Sequence, residues 1–311
     1  MLKTEEITKV ACVIVTYNRL ALLKECVEAV VSQTYPLHKI IIIDNHSTDN
    51  TFDYLQTLND DNRVELISLS ENIGGAGGFS RGIKQAMMTG VDWVWVMDDD
   101  TIPYKNALEK MVDATRLTEK IGFLCSKVLW TDGSPHRMNR PGVCLEKRDK
   151  LFNHYSSEEI SAFLCMHSSF VSLMINAEAV KEVGLPIEEF FIWGDDIEYT
   201  VRISSHGYDC FYVDNSIVLH KTASNYAPYA DTAPAETAWK FYYHARNMSF
   251  LKRKLKHKTG VALLISTLNM YRNYLRRISK RGDNNKKVFR KAVFKGCWDG
   301  LTFNPPIKYL Y

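Results

Sequence analysis

Apolar residues follow two rhythms along the first hundred positions. VACVIVTY (residues 10–17) and KIIIIDN (39–45) are unbroken apolar runs rich in β-branched residues, the pattern of strands buried on both faces. LALLKECVEAVVSQ (20–33) instead places its apolar residues at helical spacing, and Tyr35-Pro36 stops it. A helix, the strand RVELISLS, a glycine-rich loop (NIGGAGG), the helix FSRGIKQAMMTG and the strand DWVWVM follow in order. Strands alternating with helices in units of about 25–30 residues predict an α/β fold, a parallel sheet with helices on both faces.

In such sheets ligands bind at the carboxyl ends of the strands. The polar clusters fall at those ends: Asn18-Arg19, Asp44-Asn45, Asn72 with its glycines, and Asp98 to Asp100. Four in register outline one cleft. Beyond Asp100 the alternation loosens. FLCSKVLW and FLCMHSSFVSLMI read as strands flanking a polar insertion (131–160), and AEAVKEVGLP as a short helix. From Tyr226 apolar residues recur at helical spacing among many bases, which divides the chain into residues 1–225 and a helical basic region, 226–311.

With 311 residues, 46% hydrophobic and 24% charged, the composition is that of a globular chain. No stretch approaches the ~20 apolar residues that span a bilayer, and MLKTEEITKV does not resemble a secretory signal; the expectation is a cytosolic chain. Its seven cysteines lack a CxxC pair and read as buried free thiols. The histidines show no zinc spacing. The net charge of +3 hides an asymmetry: residues 251–295 carry 15 Lys and Arg against Asp283 alone, leaving 24 basic and 35 acidic residues elsewhere. The body is therefore −11 and the segment +14.

Three consecutive aspartates at a strand end repel one another. Asp98-Asp99-Asp100 is a DxD arrangement, able to hold a divalent ion against a diphosphate and to orient a ribose; a solvated acidic turn is its alternative. WGDDIEYTVR supplies a second pair, Asp195-Asp196, with Glu198 and Arg202 a turn further on. One carboxylate there can take a proton from an attacking hydroxyl. The pair also suits a helix start, with Asp195 as cap and Asp196 facing the cleft. His220 closes a strand, either as a hydrogen-bonded structural residue or as a metal ligand. NIGGAGGFSRG lacks the ending of a P-loop and the spacing of a dinucleotide fingerprint; glycine there makes a tight turn or lets backbone approach a ligand.

VIVTYNR, IIIDNHSTDNT, NIGGAGGFSRG, MDDDT and WGDDIEY…H, in this order over residues 10–221, resemble the family-2 glycosyltransferases with the GT-A fold. The triple aspartate and the FxxWxDDxEYxxR…H pattern look most like bacterial galactofuranosyltransferases, with polymer rhamnosyltransferases as near relatives, and KFYYHARN (240–247) resembles the segment that follows the catalytic domain in both. One departure is Gly194, which stands between Trp193 and the acidic pair. The resemblance implies inverting, Mn²⁺- or Mg²⁺-dependent transfer from a nucleotide sugar: UDP-galactofuranose first, dTDP-rhamnose as the alternative. It assigns Thr16, Asn18, Arg19, Asp44 and Asn72 to the donor. Asp98 and Asp100 would serve ribose, diphosphate and metal, with His220 as third ligand. Asp196 becomes the base. Asp99, also on the donor side, joins Asp195, Glu198 and Trp193 in support.

Two other classes compete. A nucleotidyltransferase would use paired aspartates on a similar sheet but release pyrophosphate, and a sugar-nucleotide-binding module without catalysis would lack Asp196 or the DxD. The basic region fits a solvated face, or attachment to an anionic membrane surface through VALLISTL and YRNYLRRI among the bases. Attachment suits a lipid-linked glycan acceptor and a peripheral position at the inner face of the cell membrane. No nucleic-acid module accompanies the bases.

Overall fold

A computed structural model of the chain describes residues 7–143, 155–156, 160–255, 257 and 259–310. The first half runs β1 (Val10–Thr16), α1 (Leu20–Val31), β2 (Lys39–Asp44), α2 (Thr51–Gln56), β3 (Val64–Ser68), α3 (Gly74–Met88) and β4 (Trp93–Asp98). These four strands lie parallel in the order β3-β2-β1-β4. Thr16 pairs with Asp44 and Val15 with Asp98, so the carboxyl ends of β1, β2 and β4 are level. The unbroken apolar runs have a physical reason. Along β1, Val10, Cys12 and Ile14 enter a core shared with α1, whereas Ala11, Val13 and Val15 enter a second core shared with α3. Period-2 alternation with both faces covered leaves no polar position.

The second half contains β5 (Thr101–Pro103), α4 (Ala107–Ala114), β6 (Ile121–Leu129), β7 (Gly142–Val143), β8 (Tyr155–Ser156), β9 (Ser161–His167), β10 (Leu173–Asn176), α5 (Ala177–Val183), α6 (Asp195–Ser205) and β11 (Asp209–His220). The sheet continues β4-β10-β6-β11-β9-β7, with β10 antiparallel to both neighbours and β6 parallel to β11. The sheet is thus mostly parallel on its first side and mixed on the other. FLCMHSSFVSLMI is two strands rather than one, broken where Ser172 takes φ 61°. Short β5 runs antiparallel to the end of β11, placing Thr101 opposite His220.

The glycine-rich segment is helical from Gly74, which corrects the loop expected there. Its glycines serve packing. A Cβ on Gly78 would lie 2.6 Å from the Val15 side chain, and one on Gly82 2.2 Å from that of Val13, so the absence of side chains brings α3 down onto β1. The six cysteines among the described residues are buried free thiols; Cys144 lies outside them, as does part of the polar insertion.

The basic region forms α7 (Lys240–Lys254), α8 (Gly260–Ser279) and α9 (Lys286–Asp299) around Phe241, Ala245, Tyr274, Ile278, Phe289 and Val293. Among the described residues no helix is long and apolar enough to cross a membrane.

Candidate active site

Level strand ends create the site. A cleft of about 640 Å³ opens above β1 and β4, walled by Arg19, Asp98, Asp100, Asp195, Asp196 and His220, with Trp193 on its far side. Thr16, Asn18, Asp44, Asn72 and Asp99 stand at the same strand ends but do not line this cavity. The Asn18 carboxamide accepts from the Thr48 N–H at 2.7 Å, the Asp44 carboxylate from the Ser47 N–H at 3.0 Å, and Asn72 from the Gly74 N–H at 2.9 Å.

The three aspartates divide their work. Asp99 turns to β1, where its carboxylate accepts from the Thr16 hydroxyl at 2.8 Å and the Tyr17 N–H at 3.3 Å. Arg19 Nη1 bridges Asp99 at 3.2 Å and Asp100 at 2.6 Å. Asp98 and Asp100 face the cleft with His220, their ligand atoms all within 4.8 Å of one another. Burial pushes the Asp98 and Asp99 carboxyls up, to about 6 and 7. At Asp100 burial acts the same way, but His220 and Arg19 outweigh it and hold the group down at about 2.

This donor set fits a hard divalent cation. Asp100 Oδ1 is buried 3.1 Å from His220 Nε2, which among the described residues is its one neighbour able to donate and does so only when protonated. His220 Nδ1 donates to Asn139 Oδ1 at 2.8 Å, and the Asn139 amide donates to the Ser169 hydroxyl at 2.9 Å. With the ring proton on Nδ1, the Nε2 lone pair confronts a carboxylate oxygen, and a proton or a cation must lie between them. Asn139 comes from the polar insertion, and no motif pointed to it. Asn139→Ala is expected to weaken Mn²⁺ binding ~10–100-fold, the usual cost of losing such an orienting partner. Electron paramagnetic resonance titration of free Mn²⁺ reads this directly, and Asn139→Asp, which keeps an acceptor, should retain most of the affinity.

Opposite lies the second acidic pair. The loop before it carries Phe191 (φ 64°), Trp193 (φ 64°) and Gly194 (φ 92°). Gly194 takes the cap position of α6, so Asp195 begins the helix rather than capping it. Both acids line the cleft, and burial raises both, Asp196 to about 6 against the restraining Ile197 N–H, which Asp196 Oδ1 accepts at 2.7 Å. Glu198 faces elsewhere: it pairs with Arg202 at 2.8 Å, and Arg202 donates onward to the Val183 and Leu185 carbonyls. Its support is structural, tying α6 to the end of α5 and the residues just after it.

The loop is held from the C-terminal region. Asn247, wholly buried on α7, donates from its amide to the Phe190, Ile192 and Trp193 carbonyls at 3.0, 3.2 and 2.8 Å. Trp193 packs edge-on against Phe241, with ring centroids 5.2 Å apart. Lys240, from the same helix, lines the cleft, its ammonium 5.8 Å from the Trp193 ring centre. Burial and Arg19 lower its pKa.

The sheet and its helices form a GT-A fold. The family model described as "Glycosyl transferase family 2" matches residues 11–181, and the chain belongs to that family. Galactofuranosyltransferase GlfT1 of Mycolicibacterium smegmatis is 28% identical over 205 residues, 64% of this chain and 67% of that one. Glycosyltransferase AglE of Haloferax volcanii is 27% identical over 221 residues, 70% and 68% of the two chains. The poly-beta-1,6-N-acetyl-D-glucosamine synthase of Staphylococcus aureus is 28% identical over 142 residues, 46% of this chain and 32% of the synthase. The fold also matches a crystal structure of GalNAc-T7 with UDP, GalNAc and Mn²⁺, with a TM-score of 0.56 at 17% identity, over 79% of this chain and 51% of that one.

Proposed function

We propose that the protein transfers a sugar, galactofuranose from UDP-galactofuranose in the first instance, to a hydroxyl of a lipid-linked cell-surface glycan, with inversion at the anomeric carbon. The observation that carries this reading is the convergence of Asp98, Asp100 and His220 with Asp196 on one cleft. Asp98, Asp100 and His220 would hold Mn²⁺ or Mg²⁺, which when bound neutralises charge on the diphosphate.

Arg19 and Lys240 put positive charge on the donor side of the cleft, where the departing nucleoside diphosphate gathers negative charge. Asp196, ionised above about pH 6, accepts the proton of the acceptor hydroxyl as its oxygen bonds the anomeric carbon. The bond from that carbon to the diphosphate breaks, and its electron pair leaves with the diphosphate. A single displacement needs one base and inverts the centre. Thr16, Asn18, Asp44, Asn72 and Asp99 are proposed to hold or brace the nucleoside end. Residues 1–225 would carry donor and chemistry, and residues 226–311 the acceptor and an anionic membrane surface at the inner face of the cell.

A screen of purified nucleotide sugars with Mn²⁺ or Mg²⁺ and no acceptor, reading nucleoside diphosphate, is the test. Release from UDP-galactofuranose above all others is expected. Release from dTDP-rhamnose alone moves the donor to rhamnose, whereas pyrophosphate from a nucleoside triphosphate and sugar phosphate overturns the transferase reading.

A further inference from the structure

A second cavity, of about 690 Å³, lies between α7 and α8 and shares Pro228 and His244 with the catalytic cleft. One face of α8 builds its outer wall: Ala262, Ile265, Asn269, Met270, Asn273 and Arg277 recur at three- and four-residue spacing. The first half of α8, through Tyr271, contains no charged residue, and bases resume at Arg272. Beside the groove, Val261, Leu264, Ile265 and Leu268 form an exposed apolar stripe, Val261 being 72% exposed. Lys252 and Arg277 lie in the groove wall. Lys252 donates to the Ser266 carbonyl at 3.0 Å, and Arg277 pairs with Asp231 at 3.2 Å while stacking on Tyr229.

At the junction with the cleft stands His244. Burial lowers its pKa to about 4, and its Nδ1 meets the Tyr274 hydroxyl at 2.5 Å. Along α8 the environments are, in order, the apolar stripe, Lys252 beside Ser266, and the neutral His244–Tyr274 pair where the groove meets the cleft, with Arg277 about one turn beyond that pair. A phosphate-linked lipid carrying a sugar presents the same sequence: alkyl chain, anion, neutral sugar, reactive hydroxyl. We infer that the α7–α8 groove seats the phosphate and the adjoining alkyl units of the lipid-linked acceptor, with the stripe of α8 lying on the membrane surface. This rests on the transferase reading above for the acceptor's sugar end, and it adds where the lipid end is held. The exposed stripe, of about four side chains, is suited to shallow interfacial contact and too short to span.

The experiment is equilibrium binding of radiolabelled geranylgeranyl phosphate in detergent micelles, to wild type and to Ala262→Trp, which fills the groove from its solvent side. Inorganic phosphate and geranylgeraniol serve as competitors, and Mn²⁺-dependent UDP binding is measured on the same samples. At least tenfold weaker lipid-phosphate affinity with wild-type UDP affinity is the expected result. Should Ala262→Trp lose UDP binding as well, Ile265→Asp decides, because that side chain is 53% exposed and its replacement leaves the core intact. Unchanged lipid-phosphate affinity in a variant that binds UDP overturns the inference. Full competition by inorganic phosphate alone reduces the groove to an anion site and overturns the alkyl assignment. A wild type that binds lipid phosphate in the groove but releases no diphosphate from any nucleotide sugar overturns the transferase reading instead.

Discussion

Asp196→Asn is expected to bind UDP and Mn²⁺ as wild type does and to transfer sugar ~10²–10⁴-fold more slowly, the range for loss of a general base. The amide is nearly isosteric and can still accept from the Ile197 N–H, so the helix start is preserved and only proton acceptance is lost. The pH profile supplies an independent sign. Burial raises the Asp196 carboxyl to about 6, and as the proposed base it would act in its ionised form. A cation held by Asp98 offsets the part of that rise that Asp98 causes, so the wild-type rate at saturating Mn²⁺ should be full at neutral pH and fall on the acid side. In Asp196→Asn the residual rate should lose this limb. If Asp195→Asn abolishes transfer while Asp196→Asn does not, Asp195 is the base.

Asp100→Ala is expected to remove the metal-dependent part of UDP affinity, a loss greater than the ~10–100-fold typical of an outer partner. Three observations set its size. Asp100 supplies a buried oxygen that faces the cleft group, that oxygen stands 3.1 Å from His220 Nε2, and the other anchors Arg19 at 2.6 Å. The remaining Asp98 and His220 cannot enclose an ion from two sides. Arg19 is about half exposed, so it resolvates when its partner goes, and the fold should survive. Calorimetric titration of UDP with and without Mn²⁺ reads the effect, with near-ultraviolet dichroism as the fold control. Equal metal dependence in mutant and wild type would remove Asp100 from the metal site.

Strands β1, β2 and β4 were legible because each is buried on both faces, so that burial wrote itself into unbroken apolar runs, whereas β3, at the sheet edge, is half-buried and carries Glu65 and Ser68. Strand ends were legible for the converse reason, since Asn18, Asp44 and Asp98 interrupt those runs where backbone leaves the core. Most of helix α3 was read as FSRGIKQAMMTG, but its start at Gly74 was not, because glycine is a poor helix former and Gly78 answers to Val15, distant in sequence. Neither was Asn139, a polar residue in a polar insertion whose partner is 81 positions away. Of the residues placed on one cleft from strand ends and motif order, Arg19, Asp98, Asp100, Asp196 and His220 line it, joined by Trp193 and by Asp195, expected as the helix cap, whereas Asn18, Asp44 and Asn72 do not. Lys240 and Asn247 sat inside a recognised segment, but spacing alone could not show that they face the acidic loop.

The grip of Asn247 on the loop before Asp195 sets the order in which the site comes into being. Three carbonyls of that loop, two flanking the left-handed Phe191 and Trp193, take their hydrogen bonds from a single amide 54 to 57 positions later in the chain. A nascent polypeptide released as far as β11 has both acidic clusters and holds the loop through the Phe191 carbonyl, which accepts from the Ala76 N–H at 3.1 Å, but lacks the Asn247 amide. The Ile192–Trp193 end of the loop, next to Asp195 and Asp196, therefore gains these hydrogen bonds only when α7 has been synthesised and docked, so this rim of the cleft is the last to be set.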